Sequence, residues 1–122
     1  MLIDLAPRMF VASPSLTRPR GASHRLLSEV LDLAGPETAL VSHAERAWSS
    51  ATFSGARHTI ILKFAGAEAI ECGEAFIAAL PDHEFTVPGH LVADATIASV
   101  EQQYVPHPCL AVEAELLLLE DC

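Results

Sequence analysis

The chain has 122 residues, a formal charge of −9, a hydrophobic content of 51% and a mean hydropathy of +0.33. That length suits one domain with one core, and the hydrophobicity excludes a disordered polymer. No apolar run approaches the roughly 20 residues of a membrane span, and the acidic balance opposes a phosphate backbone as partner, because such affinity comes from Lys and Arg.

We therefore read residues 1–122 as a single α+β domain, with 1–20 as an irregular N-terminal segment carrying a short strand near "MFVAS". The first apolar patch, "MLIDLAPRMFVASPS", is broken by Asp4, Pro7 and Arg8. A secretory apolar core is uninterrupted and preceded by positive charge, so a cytoplasmic setting is expected. The three cysteines, Cys72, Cys109 and Cys122, are odd in number and lack CxxC spacing. Neither a disulfide framework nor a zinc knuckle follows, and free thiols are expected.

The first predicted element is a helix over "ASHRLLSEVLDLAGP". Ser23 is its expected N-cap. Leu26, Leu27, Val30, Leu31 and Ala34 recur at the spacing of one helical face. Gly35 supplies the left-handed residue that ends the helix, and Pro36 forbids its continuation. Next comes an extended run through "ALVSHAERAWSSATF", turning at "SGAR" into "HTIILKF". A second helix is predicted over "AEAIECGEAFIAALP", with Ile70, Gly73, Ile77 and Leu80 on one stripe. Gly73 costs a helix about 1 kcal/mol relative to Ala, and its expected use is close approach of helix to sheet. The last pair runs through "HLVADATIASVEQQY", turns at "VPHP" and returns through "CLAVEAELLLLE".

The order α-β-β-α-β-β predicts a two-layer sandwich: a four-stranded antiparallel sheet with both helices on one face, ferredoxin-like or a permuted relative. A shift of 51 positions aligns Leu40 with Leu91, Val41 with Val92 and Ala44 with Ala95. This faint repeat serves only as a check on facing.

Alternate strand residues share a face. In the third strand Leu91, Ala93, Ala95 and Ile97 are the apolar set and are expected to face the helices, leaving Val92, Asp94, Thr96, Ala98 and Val100 on the open side. The same parity puts Leu40, Ser42 and Ala44 inward, with Val41, His43 and Glu45 outward. In the second strand Ile60, Leu62 and Phe64 go inward, and Thr59, Ile61 and Lys63 outward. In the last strand Leu110, Val112, Ala114, Leu116 and Leu118 go inward, leaving Glu113, Glu115, Leu117 and Leu119 outward. A bulge, expected near "WSS", would flip part of this.

The stretch that most resembles chemistry is "HEFTVPGHLVAD", with His83, Glu84, His90 and Asp94 around a Pro-Gly pair. Pro88-Gly89 is turn chemistry, and four strand residues separate His90 from Asp94 by about 13 Å, too far to share a metal or proton. A stronger candidate set crosses strands on the open face: His43, Glu45, Asp94, Glu113 and Glu115. Of these, His43, Glu45 and Asp94 are candidate catalytic residues, and His43, Glu45, Asp94 and Glu113 candidate metal ligands. Imidazole with carboxylates suits a divalent transition metal or acid-base work. A carboxylate beside His43 would raise its pKa, and a bound metal would lower it. Charges on an open sheet face more often serve only solvation.

Arg57 and His58, read as flanking a hairpin turn, form a weaker anion-contacting pair, and His90 is a weak ligand candidate. His107 and Cys109 are separated by Pro108 in a turn, which disfavours a nucleophile-base pair. Ser49 and Ser50 lack a GxSxG elbow, and no GxGxxG or phosphate loop occurs. Trp48 reads as core or interface. No cofactor is indicated.

Two functions from different classes fit these residues. One is a non-enzymatic module that self-associates, or binds a small ligand or protein, through an open sheet face on which Val41, Ala47, Ile61, Val92, Ala98, Val100, Leu117 and Leu119 mingle with charges. A monomer seldom leaves such a surface to water, so a homodimer or higher closed oligomer is expected. The other is a small metal-assisted enzyme built on His43 and the carboxylates. The first is favoured, because no nucleophile motif or tight ligand spacing supports the second.

Overall fold

The computed structural model describes residues 21–120. The expected short strand near residues 9–13 and the thiol of Cys122 lie outside them. Helix α1 spans Gly21–Ala34 and is followed by strands β1 (Thr38–Ser49) and β2 (Ser54–Ala65). Helix α2 spans Ala67–Ala79 and runs into one 3-10 turn, Leu80–Asp82, before strands β3 (His90–Gln103) and β4 (Cys109–Glu120). The sheet is antiparallel in the order β1-β2-β4-β3. Two αββ units thus each place one strand at the centre and one at an edge. Moving β4 to the front of the chain gives βαββαβ with the strand order of a ferredoxin-like sheet, so the architecture is a circular permutation of that fold.

The apolar stripes set the layers. Leu26, Val30 and Ala34 of α1 and Ala69, Ile70, Gly73 and Phe76 of α2 are buried against Ile60, Leu62 and Phe64 of β2 and Leu110, Val112, Ala114 and Leu116 of β4. Helix α2 lies close to the sheet because it presents Gly73. A methyl group there would sit 2.8 Å from both Leu110 Cδ2 and Phe64 Cδ1, distances that real side chains do not reach. Helix α1 stops at Gly35, which has φ 99° and donates its N–H to Leu31 O at 3.0 Å.

Several sequence-based expectations need correction. Ser23 lies inside the first turn of α1 rather than capping it, and its hydroxyl reaches Glu45 instead. The β1–β2 turn falls at residues 50–53, where Ser50 Oγ accepts from the Phe53 N–H at 3.1 Å. "SGAR" is therefore already strand. The bulges lie at Val41, and near Ala93 and Ala98, not at "WSS". Each extra residue reverses the parity on one side of it.

Pairing shows the consequence. His43 opposes Ile60 and Glu45 opposes His58, both partners being buried beneath the helices. His43 and Glu45 therefore face the helix layer, not the open side, while Ser42 and Ala44 turn outward. In β3, Val92 opposes Leu118 and packs on the core, whereas Leu91 opposes Leu119 and faces out, 55% exposed. Ala95 and Ile97 pack inward as expected. Val100 opposes Val112, and Ala47 opposes Ala56, so neither lies on the open face. The facing expected for β2 and β4 holds throughout.

Candidate functional site

Burial beneath the helices gives the one imidazole pair. His58 is 1% exposed, in line with Ile60 and Leu62, and its Nδ1 lies 2.9 Å from His43 Nε2. One of these nitrogens donates and the other accepts, so the pair satisfies itself with a single shared proton. Burial holds the pKa of His58 down to about 3, with a smaller contribution from a charged His43. Burial also lowers that of His43, and the neighbouring Glu45 carboxylate opposes the shift without reversing it. Glu45 is a carboxylate neighbour that by itself would raise the His43 value, but desolvation outweighs its charge and the shift is downward. Glu45 accepts a hydrogen bond from Ser23 Oγ at 3.2 Å, tying β1 to α1.

The candidate catalytic and metal set does not assemble. His43 and Glu45 lie on the helix face, whereas Asp94, Glu113 and Glu115 oppose Leu117, Ile61 and Thr59 on the other side of the sheet. Among the described residues, no group of three or more His, Cys, Asp or Glu side chains could hold a metal ion. Arg57 and His58 are neighbours in the middle of β2 and project from opposite faces, so they form no joint anion contact. His90 Nδ1 lies 3.1 Å from Pro88 O, within its own turn. His83 reaches Glu29 of α1 at 3.4 Å, and the same carboxylate accepts the Thr86 N–H at 2.9 Å and contacts Arg25. That cluster pins the 83–86 segment to α1 as a structural clasp. A shallow depression of about 430 Å³ beside Leu31, Pro36, Thr38 and Leu40 is lined by none of the candidates.

The open face is more informative. Strand register arranges its outward side chains in rows across β1, β2, β4 and β3. One row is Trp48, Gly55, Leu119 and Leu91, and the next is Arg46, Arg57, Leu117 and Asp94. There follow Ala44, Thr59, Glu115 and Thr96, then Ser42, Ile61, Glu113 and Ser99, then Ala39, Lys63, Ala111 and Glu101. A side chain at Gly55 would collide with the backbone of β4, its Cβ falling 2.8 Å from Leu119 Cα. The glycine lets β2 approach β4 closely in the row that holds the half-buried Trp48. Leu117 and Leu119 are only 8% and 6% exposed although they point away from the helices.

Charge on this face is divided by strand. Arg46, Arg57 and Lys63 all stand on β1 and β2, and Asp94, Glu101, Glu113 and Glu115 all stand on β3 and β4. The one ion pair crossing the boundary is Arg57 Nη1 to Glu115 Oε1 at 4.0 Å, and among the described residues Arg46, Lys63 and Asp94 have no ion-pair partner. Sequence parity located Ile61, Lys63, Asp94, Leu117 and Leu119 on this face but missed Arg46, Trp48 and Leu91, because the bulges that turn them outward leave no Gly or Pro signal.

No described helix is long and apolar enough to cross a membrane. No protein-family model matches the chain, and no curated protein matches it. Among solved structures it is similar to a chain of the virion of a native gene transfer agent particle, with a TM-score of 0.54 and 14% identity over 67% of each chain. At that identity the likeness is one of fold.

Proposed function

We propose that this chain is a self-associating, non-enzymatic α+β module whose open sheet face binds a second protein surface, first of all another copy of itself. The observation that carries the reading is the composition of that face. An apolar row through Trp48 and Leu91 lies beside three cations and four carboxylates sorted onto opposite halves. The chain as a whole is strongly acidic, with a formal charge of −9, which favours keeping copies apart. The open face is where that repulsion is almost cancelled. Its extent also suits an interface: strands of 12 residues give a length of about 40 Å and four strands a width of about 19 Å. Two such faces in contact bury about 1,500 Å², the size of a standard specific interface.

The fold neighbour belongs to a particle, which is consistent with a structural role and says nothing of the face used. The cytoplasmic setting is part of this proposal, supported by the free thiols of Cys72 and Cys109. Sedimentation equilibrium of the full chain at micromolar concentration tests the reading. It predicts a mass of at least twice 13.0 kDa, reduced by Leu91→Asp, which puts a charge into the apolar row. A mass of 13.0 kDa throughout, or an assembly indifferent to Leu91→Asp, contradicts it.

A further inference from the structure

The division of charge also selects how two copies would meet. Two sheets stacked face to face by a two-fold axis lying between them have two simple arrangements. With the axis across the strands, β1 lies over the partner's β1 and β4 over its β4. Arg46, Arg57 and Lys63 then lie over the partner's basic half, and Asp94, Glu101, Glu113 and Glu115 over its acidic half, with Glu115 meeting its own copy. Superposing halves of like charge opposes association. With the axis along the strands, in the gap between β2 and β4, β1 lies over the partner's β3 and β2 over its β4. Every cation then meets the acidic half.

The rows match as well as the halves. Rotation about an axis along the strands carries each row onto itself in reverse order. The row Trp48, Gly55, Leu119, Leu91 meets its own mirror sequence, so the indole lies over Leu91 of the second copy, and Arg46 lies over its Asp94. Sheet twist rotates stacked sheets by about 30°. Edge strands about 7 Å from the axis are displaced by about 4 Å, within the reach of an arginine side chain.

Resting on the self-association reading above, we propose that this protein forms a face-to-face dimer about a two-fold axis parallel to β2 and β4, locked at both edges by Arg46 of one copy and Asp94 of the other. By symmetry the contact occurs twice. Arg46 and Asp94 are both exposed and have no ion-pair partner among the described residues. The remaining cations sit where the same rotation needs them: Arg57 over β4 near Glu115, and Lys63 over Ala111 with Glu113 and Glu101 beside it.

The test uses two single reversals, Arg46→Glu and Asp94→Arg, in the full chain, each checked for an unchanged far-ultraviolet circular dichroism spectrum. Each alone creates two like-charge contacts per dimer, and its dissociation constant should rise at least ~10-fold by sedimentation. Mixed in equal amounts, the two variants should recover the wild-type affinity, because in the mixed dimer both contacts are again between opposite charges. If the wild type dimerises but the single variants remain as tight, or their mixture stays dissociated, the axis is overturned and self-association stands. A wild type that never exceeds 13.0 kDa overturns the reading beneath it. A chain lacking residues 1–20 that dimerises when the full chain does not would identify that segment as the occupant of the face, and overturns the proposal too.

Discussion

Acidification from pH 7 to pH 5 should destabilise this protein, chiefly through His58. Its pKa is about 3 in the folded chain and about 6.5 when unfolded. Because the folded value is the lower, the stabilising contribution is complete above pH 6.5 and is lost as the pH falls toward 3. In that window the unfolded chain binds a proton that the folded chain refuses, at about 1.4 kcal/mol per pH unit. Between pH 7 and pH 5 the loss comes to about 2 kcal/mol, a sizeable part of an ordinary domain's stability of about 5–15 kcal/mol. His43 is shifted in the same direction and adds to the loss. Urea unfolding at both pH values, at one protein concentration, measures the difference. His58→Leu should reduce it by about 2 kcal/mol while lowering stability at pH 7, since His43 Nε2 loses its partner. Nuclear magnetic resonance should find a His58 ring that stays neutral down to pH 4. A ring titrating above pH 6, or a variant losing as much stability as the wild type over that interval, would refute the reasoning.

Two further predictions concern packing. Gly73→Ala inserts a methyl group 2.8 Å from Phe64 Cδ1 and Leu110 Cδ2. Overpacking costs about 1–3 kcal/mol and the better helix former returns about 1, so urea unfolding should find a net loss near 1 kcal/mol, and a variant as stable as the wild type contradicts the close approach. Glu29→Ala should cost about 1–2 kcal/mol and release the 83–86 segment, seen as faster amide hydrogen exchange at Thr86; a Thr86 amide still protected would show that another contact holds it.

The helices and the central strands were legible in the sequence because each carries its own punctuation. Gly35-Pro36 ends α1, Gly73 marks the approach of α2 to the sheet, and the unbroken alternation Ile60, Leu62, Phe64 declares the inner face of β2. The edge strands were not legible in the same way. Facing in β1 depends on one bulged residue, Val41, which looks like any other strand valine, and its effect is to carry His43 and Glu45 from one side of the sheet to the other. The same slip exchanged Leu91 and Val92. Period-2 patterns determine facing only when the strand is regular, and edge strands, paired on one side alone, are where bulges collect. The charge division of the open face became visible only after those slips were corrected, since Arg46 is placed outward by the bulge at Val41.

Trp48 is the chain's single tryptophan, and it stands on the face assigned to self-association, so its emission during dilution tests the central claim most directly. Followed beside sedimentation from tens of micromolar downward, the emission should shift to the red as water reaches the indole, with a midpoint that coincides with the halving of mass. Emission that stays constant while the mass halves would place the interface elsewhere on the molecule, and would contradict the account.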